Sequence, residues 1–286
     1  MKIIFFSIVL LVGIFAAITN FDQLNFTNKT NVINNKTEGL AVAPQNSFLN
    51  EKRKLVIVEL FTSEGCSSCP SADGNLMLLE REQPVAEAEI VALSEHVDYW
   101  NRLGWTDPFS SSQFSARQNE YSEFFGKNGD VYTPQMIVDG NREFPGHDMR
   151  AALKTIGEAA SNAKGNVEIN VGQISSDSAA VTIKTSNLPP ISNGDSAIVL
   201  LAVTESDLAS SVTRGENSGR RLAHTSVVRH LQNIGNAANL EKTFSANIPV
   251  GKNWKRENLS VVAFVQETQS RKIIGAQKVS LKSRLQ

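Results

Sequence analysis

The 286-residue sequence predicts an α/β domain followed by an all-β, antiparallel, sandwich-like domain. Three observations carry this expectation. A buried-strand pattern runs directly into a Cys-x-x-Cys and then into a helical period; a second fully apolar strand pattern follows that helix; and strand-like segments separated by turn residues crowd the chain from residue 164 onward. Composition narrows the class further. With 41% hydrophobic residues there is enough apolar surface for sizeable cores. The 28 Lys and Arg against 29 Asp and Glu, with no basic block, exclude an electrostatic nucleic-acid binder. Two cysteines are too few for a disulfide-built scaffold, so their placement becomes the main question.

Residues 1–19 read as a targeting segment. Lys2 is followed by an apolar run from Ile3 to Ile18, shorter than the roughly 20 residues that span a bilayer comfortably. The small-x-small cleavage positions are poorly supplied, Ile14/Ala16 and Ala17/Thr19 being the best pairs, so an uncleaved membrane anchor is the alternative to a cleaved signal. Either way the chain beyond it is expected in an oxidising compartment, periplasmic or extracellular. Residues 20–53 are Asn-rich without a sustained apolar period and read as a low-complexity spacer, because they cannot bury enough surface to offset their ordering entropy. The sequons at Asn25, Asn28 and Asn35 arise easily by chance in such a tract.

The α/β domain is placed at 54–163. Leu55–Phe61 is apolar on both alternating faces, as in a strand covered on both sides. After Cys66-Ser67-Ser68-Cys69-Pro70, the residues Ala72, Leu76 and Leu79 recur at helical spacing, with Pro70 tolerated in the first turn because the N–H groups there lack intrahelical partners. Glu89–Ser94 is the second buried strand and closes a right-handed β-α-β unit. Later, Gln135–Val138 and Arg142–Phe144 flank Asp139-Gly140, a pair suited to a tight hairpin, and Asp148 is placed to cap a helix bearing Met149, Leu153 and Ile156. This order of elements is that of a thioredoxin-like domain. Between the second strand and Thr133, an aromatic insertion (Tyr99, Trp100, Trp105, Phe109, Phe114, Tyr121, Phe124, Phe125) contains a predicted helix at 113–125.

The Cys-x-x-Cys sits at a strand-to-helix junction, where a helix N-terminus stabilises a thiolate. Cys66 is the expected nucleophile, and Cys69, one turn into the helix, the resolving thiol that attacks a mixed disulfide at Cys66. A structural staple is the bland alternative, yet so short a loop stabilises by less than ~2 kcal/mol on chain entropy. A copper or zinc site would need further ligands, for which His96 is the nearby candidate. Thr133-Pro134 precedes a strand, and a cis bond there would present backbone to an extended substrate. Glu64, Asp73 and His96 are candidates to tune the thiols, and Trp100 and Trp105 to wall a groove beside Cys66.

The segment Glu59–Asp73, with its Gly65-Cys66-Ser67-Ser68-Cys69-Pro70 centre, resembles the signature of the exported thioredoxin-like proteins catalogued as domain of unknown function 1223. Further similarity lies in His96–Trp100, Leu103–Phe109, Arg117-Gln118, Tyr121 and Val131–Gln135. The resemblance spans about residues 54–280 and implies a thioredoxin-like fold and export, without supplying a substrate.

Residues 164–286 carry seven strand patterns, expected as an antiparallel sandwich-like domain. The connection Glu205–His224 holds Arg214, Glu216, Asn217, Gly219, Arg220 and Arg221, and reads either as a solvated loop or as one that touches the redox site, where Arg220 and Arg221 would steady an anion. The resulting expectation is an exported thiol-disulfide oxidoreductase acting on protein or small-molecule disulfides through Cys66 and Cys69. No organic cofactor and no metal is needed, and a membrane is met only through an N-terminal anchor. The alternatives are a non-catalytic binding module and a copper- or zinc-handling protein.

Overall fold

The computed structural model describes residues 53–238 and 240–281; the predicted signal or anchor and the spacer up to residue 52 lie outside the described residues. The strands are β1 (Lys54–Thr62), β2 (Ala88–His96), β3 (Gln135–Val138), β4 (Arg142–Pro145), β5 (Asn166–Ile174), β6 (Ser178–Ser186), β7 (Ala197–Glu205), β8 (Leu208–Ser211), β9 (Arg221–His224), β10 (Val227–Asn236), β11 (Lys242–Pro249), β12 (Leu259–Glu267) and β13 (Ile273–Ser280). The helices are α1 (Cys69–Glu82), α2 (Ser112–Phe124) and α3 (Met149–Ala160). None of the described helices is long and apolar enough to cross a membrane.

These elements do not form a thioredoxin-like domain followed by a β sandwich. The protein is mostly β, and a mixed eight-stranded sheet in the order β13-β12-β7-β10-β2-β1-β3-β4 draws strands from both halves of the sequence. The halves join where Val227 of β10 pairs in parallel with Ser94 of β2, the Ser94 N–H donating to the Ser226 carbonyl at 2.9 Å. Strand existence was legible because apolar alternation is local. The choice of partner was not, because β2 is apolar on both faces and accepts a neighbour from anywhere in the chain. Only β5, β6 and β11 form a separate three-stranded layer, in the order β11-β6-β5, and β8 pairs with β9 as an isolated two-stranded ribbon.

The double-sided apolar pattern of β1 has its physical counterpart in two cores. Val56, Val58 and Leu60 face Leu76 and Leu79 of α1 and Ala152 and Ile156 of α3. Ile57 faces a cluster with Phe114 of α2, Leu200 of β7 and Phe264 of β12, so this second core crosses the expected domain boundary. A third core fills the space between the three-stranded layer and β7 and β12, with Ile183, Leu201 and Val261 fully buried. Each such side chain contributes about 1.5–3 kcal/mol by leaving water.

Local chemistry ends the elements. The Asp148 side chain caps α3 by accepting from the Ala151 N–H at 2.9 Å, and Ser111 caps α2 through the Gln113 N–H. Asp139 and Gly140 take φ of 47° and 76° between β3 and β4, the left-handed geometry that a tight hairpin demands. The N-cap of α1, Ser68, makes no side-chain capping bond, so the α1 terminus is left to Pro70 and the cysteine loop.

Candidate functional site around Cys66 and Cys69

β1 delivers the chain to the edge of the sheet at Thr62, and the segment Ser63–Ser68 turns it into α1. The Cys66 N–H donates to the Ser63 carbonyl and the Cys69 N–H to the Cys66 carbonyl, both at 3.2 Å, which places the two sulfurs side by side. They form a disulfide with a Cα–Cα separation of 5.4 Å. Cys66 is 1% exposed and Cys69 is wholly buried, although Ser67 and Ser68 between them are exposed.

Thr133 and Pro134 meet the disulfide from the other side. Their peptide bond is cis, and the Thr133 carbonyl oxygen lies 3.9 Å from Cys66 Sγ. Trp100 holds this segment, its indole Nε1 donating to Thr133 Oγ1 at 2.9 Å while its Cβ closes against Gly65, where an added Cβ would approach to 3.1 Å. The Gly146 N–H donates to the Pro134 carbonyl at 2.9 Å and ties β4 to the same corner.

Behind the disulfide lies a buried cluster of ionisable groups. The Glu64 carboxylate accepts from Trp105 Nε1 at 2.8 Å, from His224 Nε2 at 3.0 Å and from the Ser210 hydroxyl. Asp107 Oδ2 accepts from the Glu64 N–H at 2.8 Å and bonds His96 Nδ1 at 2.7 Å. The two imidazole rings stand edge to face with centroids 4.8 Å apart. Asp73, one helical turn beyond Cys69, accepts from Thr62 Oγ1 at 2.8 Å, and its Oδ2 lies 3.8 Å from His224 Nδ1, too far for a hydrogen bond. His96 Nε2 and His224 Nδ1 are buried and without hydrogen-bond partners among the described residues.

The environment shifts three of these groups. Burial pushes the Asp73 carboxyl up, against the pull of His224, His96 and the Thr62 hydroxyl. Burial alone would lower His96, but the Asp107 carboxylate beside it raises it overall. Asp107 is correspondingly held below the usual carboxylate range, the imidazole of His96 and two backbone N–H groups outweighing desolvation.

The C-terminal half closes the site. Asn217, at the tip of the β8–β9 ribbon, donates through Nδ2 to the Glu64 carbonyl at 2.8 Å and the Cys66 carbonyl at 2.9 Å. Glu216 accepts from the Ser67 N–H at 2.9 Å. The connection 205–224 therefore contacts the cysteines, yet through Glu216 and Asn217; Arg220 acts by donating to Asn217 Oδ1 at 2.6 Å.

All nine residues singled out from the sequence, Glu64, Cys66, Cys69, Asp73, His96, Trp100, Trp105, Thr133 and Pro134, come together here. Asp107, Ser210 and His224 complete the cluster without having been assigned a part in it. His224 lies 160 residues from Glu64, and no spacing in the sequence signals that pairing. Among the described residues no group of three or more His, Cys, Asp or Glu is arranged to hold a metal ion.

Comparison with known proteins adds a family and a fold. No curated protein matches this chain. The crystal structure of protein AGR_C_4864 from Agrobacterium tumefaciens is similar, with 26% identity and a TM-score of 0.59 over 80% of this chain and 95% of that one. A domain of the outer membrane lipoprotein Omp28 from Porphyromonas gingivalis matches 41% of this chain and 88% of its own at 19% identity, with a TM-score of 0.27, too low a likeness to bear on the fold. A family model matches residues 57–266, from β1 through β12 and so across the disulfide, the buried cluster and the ribbon: the chain belongs to the family described as protein of unknown function DUF1223.

Proposed function

We propose that this protein is an exported thiol-disulfide oxidoreductase that works through Cys66 and Cys69. The observation that carries the reading is the position of the pair: a disulfide at the N-terminus of a 14-residue helix, with the Thr133 carbonyl 3.9 Å from Cys66 Sγ. The helix end favours a thiolate when the pair is reduced, and the half-buried Thr133 backbone is the part of the cis corner that stands against Cys66 Sγ.

The exchange balances within the two partners. A substrate thiolate attacks Cys66 Sγ, the Cys66–Cys69 bond breaks, and Cys69 leaves as a thiolate that takes up a proton. A second substrate thiol, losing its proton, attacks the mixed disulfide and releases Cys66. The substrate is oxidised by two electrons and the protein reduced by two; the reverse sequence reduces a substrate disulfide. Asp73, on the same face of α1 as Cys69 and with its carboxyl pushed up by burial, is the nearest acidic side chain of the helix to the leaving Cys69.

The test is equilibration of the purified protein in glutathione buffers while free thiols are counted. A potential in the range of about −120 to −270 mV fits an exchanging pair, and a Cys69→Ser variant should accumulate a mixed disulfide at Cys66. A pair that stays oxidised below about −300 mV overturns the proposal in favour of a structural disulfide. The near-complete burial of both cysteines is the observation that favours that second reading.

A further inference from the structure

We infer that Asn217 controls access to the disulfide: the tip of the β8–β9 ribbon, residues 212–220, is a cap latched onto the cysteine loop, and it must lift before a thiol can reach Cys66. This deepens the oxidoreductase reading and rests on it for its biological purpose, but the gating itself is a property of the disulfide's surroundings.

Four observations support it. Cys66 is 1% exposed although its neighbours Ser67 and Ser68 are open to solvent; its sulfur meets the Ser68 hydroxyl and the Thr133 carbonyl, while its own carbonyl is held from the ribbon by Asn217. Between Thr213 and Arg221 every residue is exposed except Asn217, which is wholly buried. An Asn in an exposed tip turns inward only if its polar atoms are satisfied there, and this one is: Nδ2 serves the Glu64 and Cys66 carbonyls, and Oδ1 accepts from Arg220. The ribbon that carries it belongs to neither larger sheet, so no ladder bonds to those sheets would be lost as the tip moves.

The construction of the tip fits a hinged piece. Gly215 and Gly219 bracket Glu216-Asn217-Ser218 with φ of 75° and 82°, backbone conformations in which a side chain is strained. Gly215 also lies so close to Trp105 that an added Cβ would sit 3.3 Å from the indole's Cβ. The base of the ribbon is held separately, through Ser210 and His224 on the Glu64 carboxylate. The hydrogen bonds from the tip to the cysteine loop are those of Asn217 and of the exposed Glu216 on the Ser67 N–H, while Val212 at its foot is buried. Opening the tip thus breaks few bonds and leaves the buried cluster assembled.

The experiment follows reduction of the native disulfide by tris(2-carboxyethyl)phosphine and, separately, by a short peptide with a single cysteine. The proteins are the wild type, Asn217→Ala and, as a control for general loosening, Ile183→Val in the core behind the three-stranded layer. Asn217→Ala is expected to speed reduction by about tenfold or more, the consequence of removing one or two net hydrogen bonds from the closed form, with the larger effect on the peptide. Ile183→Val is expected to leave the rate unchanged. Equal rates for Asn217→Ala and the wild type overturn the inference, as does an equal acceleration in Ile183→Val. The two readings separate cleanly: an accelerated Asn217→Ala whose disulfide potential lies below about −300 mV keeps the cap and discards the oxidoreductase.

Discussion

The Glu64 carboxylate and His224 Nε2 meet at 3.0 Å across 160 residues of chain, and both side chains are fully buried. Glu64 stands two residues before Cys66, while His224 ends the ribbon that carries the cap, so this contact fastens the C-terminal half to the cysteine loop. Trp105 and Ser210 donate to the same carboxylate. Glu64→Ala strands the buried His224 donor and the half-buried Trp105 and Ser210 donors at once; a buried donor left unpaired costs about 1–3 kcal/mol, so a loss of roughly 2 kcal/mol or more is expected in urea unfolding. A change below about 1 kcal/mol would show that these donors find water instead.

The His96–Asp107 pair sets a window of stability. Asp107 is held below 3.8, so its contribution is complete above that pH and is lost as the pH falls through its depressed value. His96 is raised above 6.5, so its contribution is complete below that pH and is lost as the pH rises through its raised value. The pair therefore stabilises most between 3.8 and 6.5 and weakens on either side. Asp73, pushed up by burial, also loses stability as the pH rises above 3.8, so the pair must be isolated by difference. Relative to Asp107→Asn, the wild type should lose stability in unfolding titrations at pH 5, 7 and 9; parallel curves would count against the assignment.

Glu95 is wholly buried with its Oε1 3.6 Å from Arg117 Nε, which also pairs with Glu59, and neither of its oxygens is hydrogen-bonded among the described residues. Burial and the adjacent Glu59 carboxylate push its carboxyl well above 4.5, with Arg117 opposing. Keeping it protonated costs stability as the pH rises above 4.5 toward its raised value. Glu95→Gln is neutral at every pH, so it should be more stable than the wild type, increasingly so from pH 5 to pH 8. Equal unfolding midpoints at both values would refute this.

Gly146 is a close-approach position. A Cβ there would lie 2.8 Å from Leu60 Cδ1, 3.0 Å from Ala72 Cβ and 3.3 Å from Pro134 Cβ. Gly146→Ala should cost about 1–3 kcal/mol through overpacking, and it should disturb the Thr133-Pro134 corner, which Gly146 holds through the Pro134 carbonyl. The stability is read by unfolding and the corner by the rate at which the Cys66–Cys69 disulfide is reduced.

Arg117 deserves comparison with Asn217 for what a sequence displays. Arg117 lies on a helix that aromatic spacing announces, but its partners Glu59, Tyr121 and Gln266 come from β1, from its own helix and from β12. Only Tyr121, four residues away, is a neighbour by helical spacing. Asn217 sits in a tract rich in Gly, Ser and Arg that looks like an ordinary solvated loop, and nothing local marks it as the one buried residue between Thr213 and Arg221. The glycines beside it were visible; the direction in which they aim the chain was not.

What could be read along the chain was whatever short-range physics enforces: the doubly apolar strands β1 and β2, the helix beginning at Cys69, the Asp139-Gly140 hairpin and the Asp148 cap. Periodicity, capping and turn geometry act over a few residues, so they leave local marks. Tertiary structure alone decided that β10 adds to β2 and merges two expected domains into one eight-stranded sheet, that His224 and Asp107 enter the cluster, and that Asn217 turns inward onto the Glu64 and Cys66 carbonyls. Those outcomes depend on which distant surfaces bury each other and on where buried polar groups find partners. A buried donor is satisfied by any acceptor that the fold brings within reach, however far away it lies in the sequence.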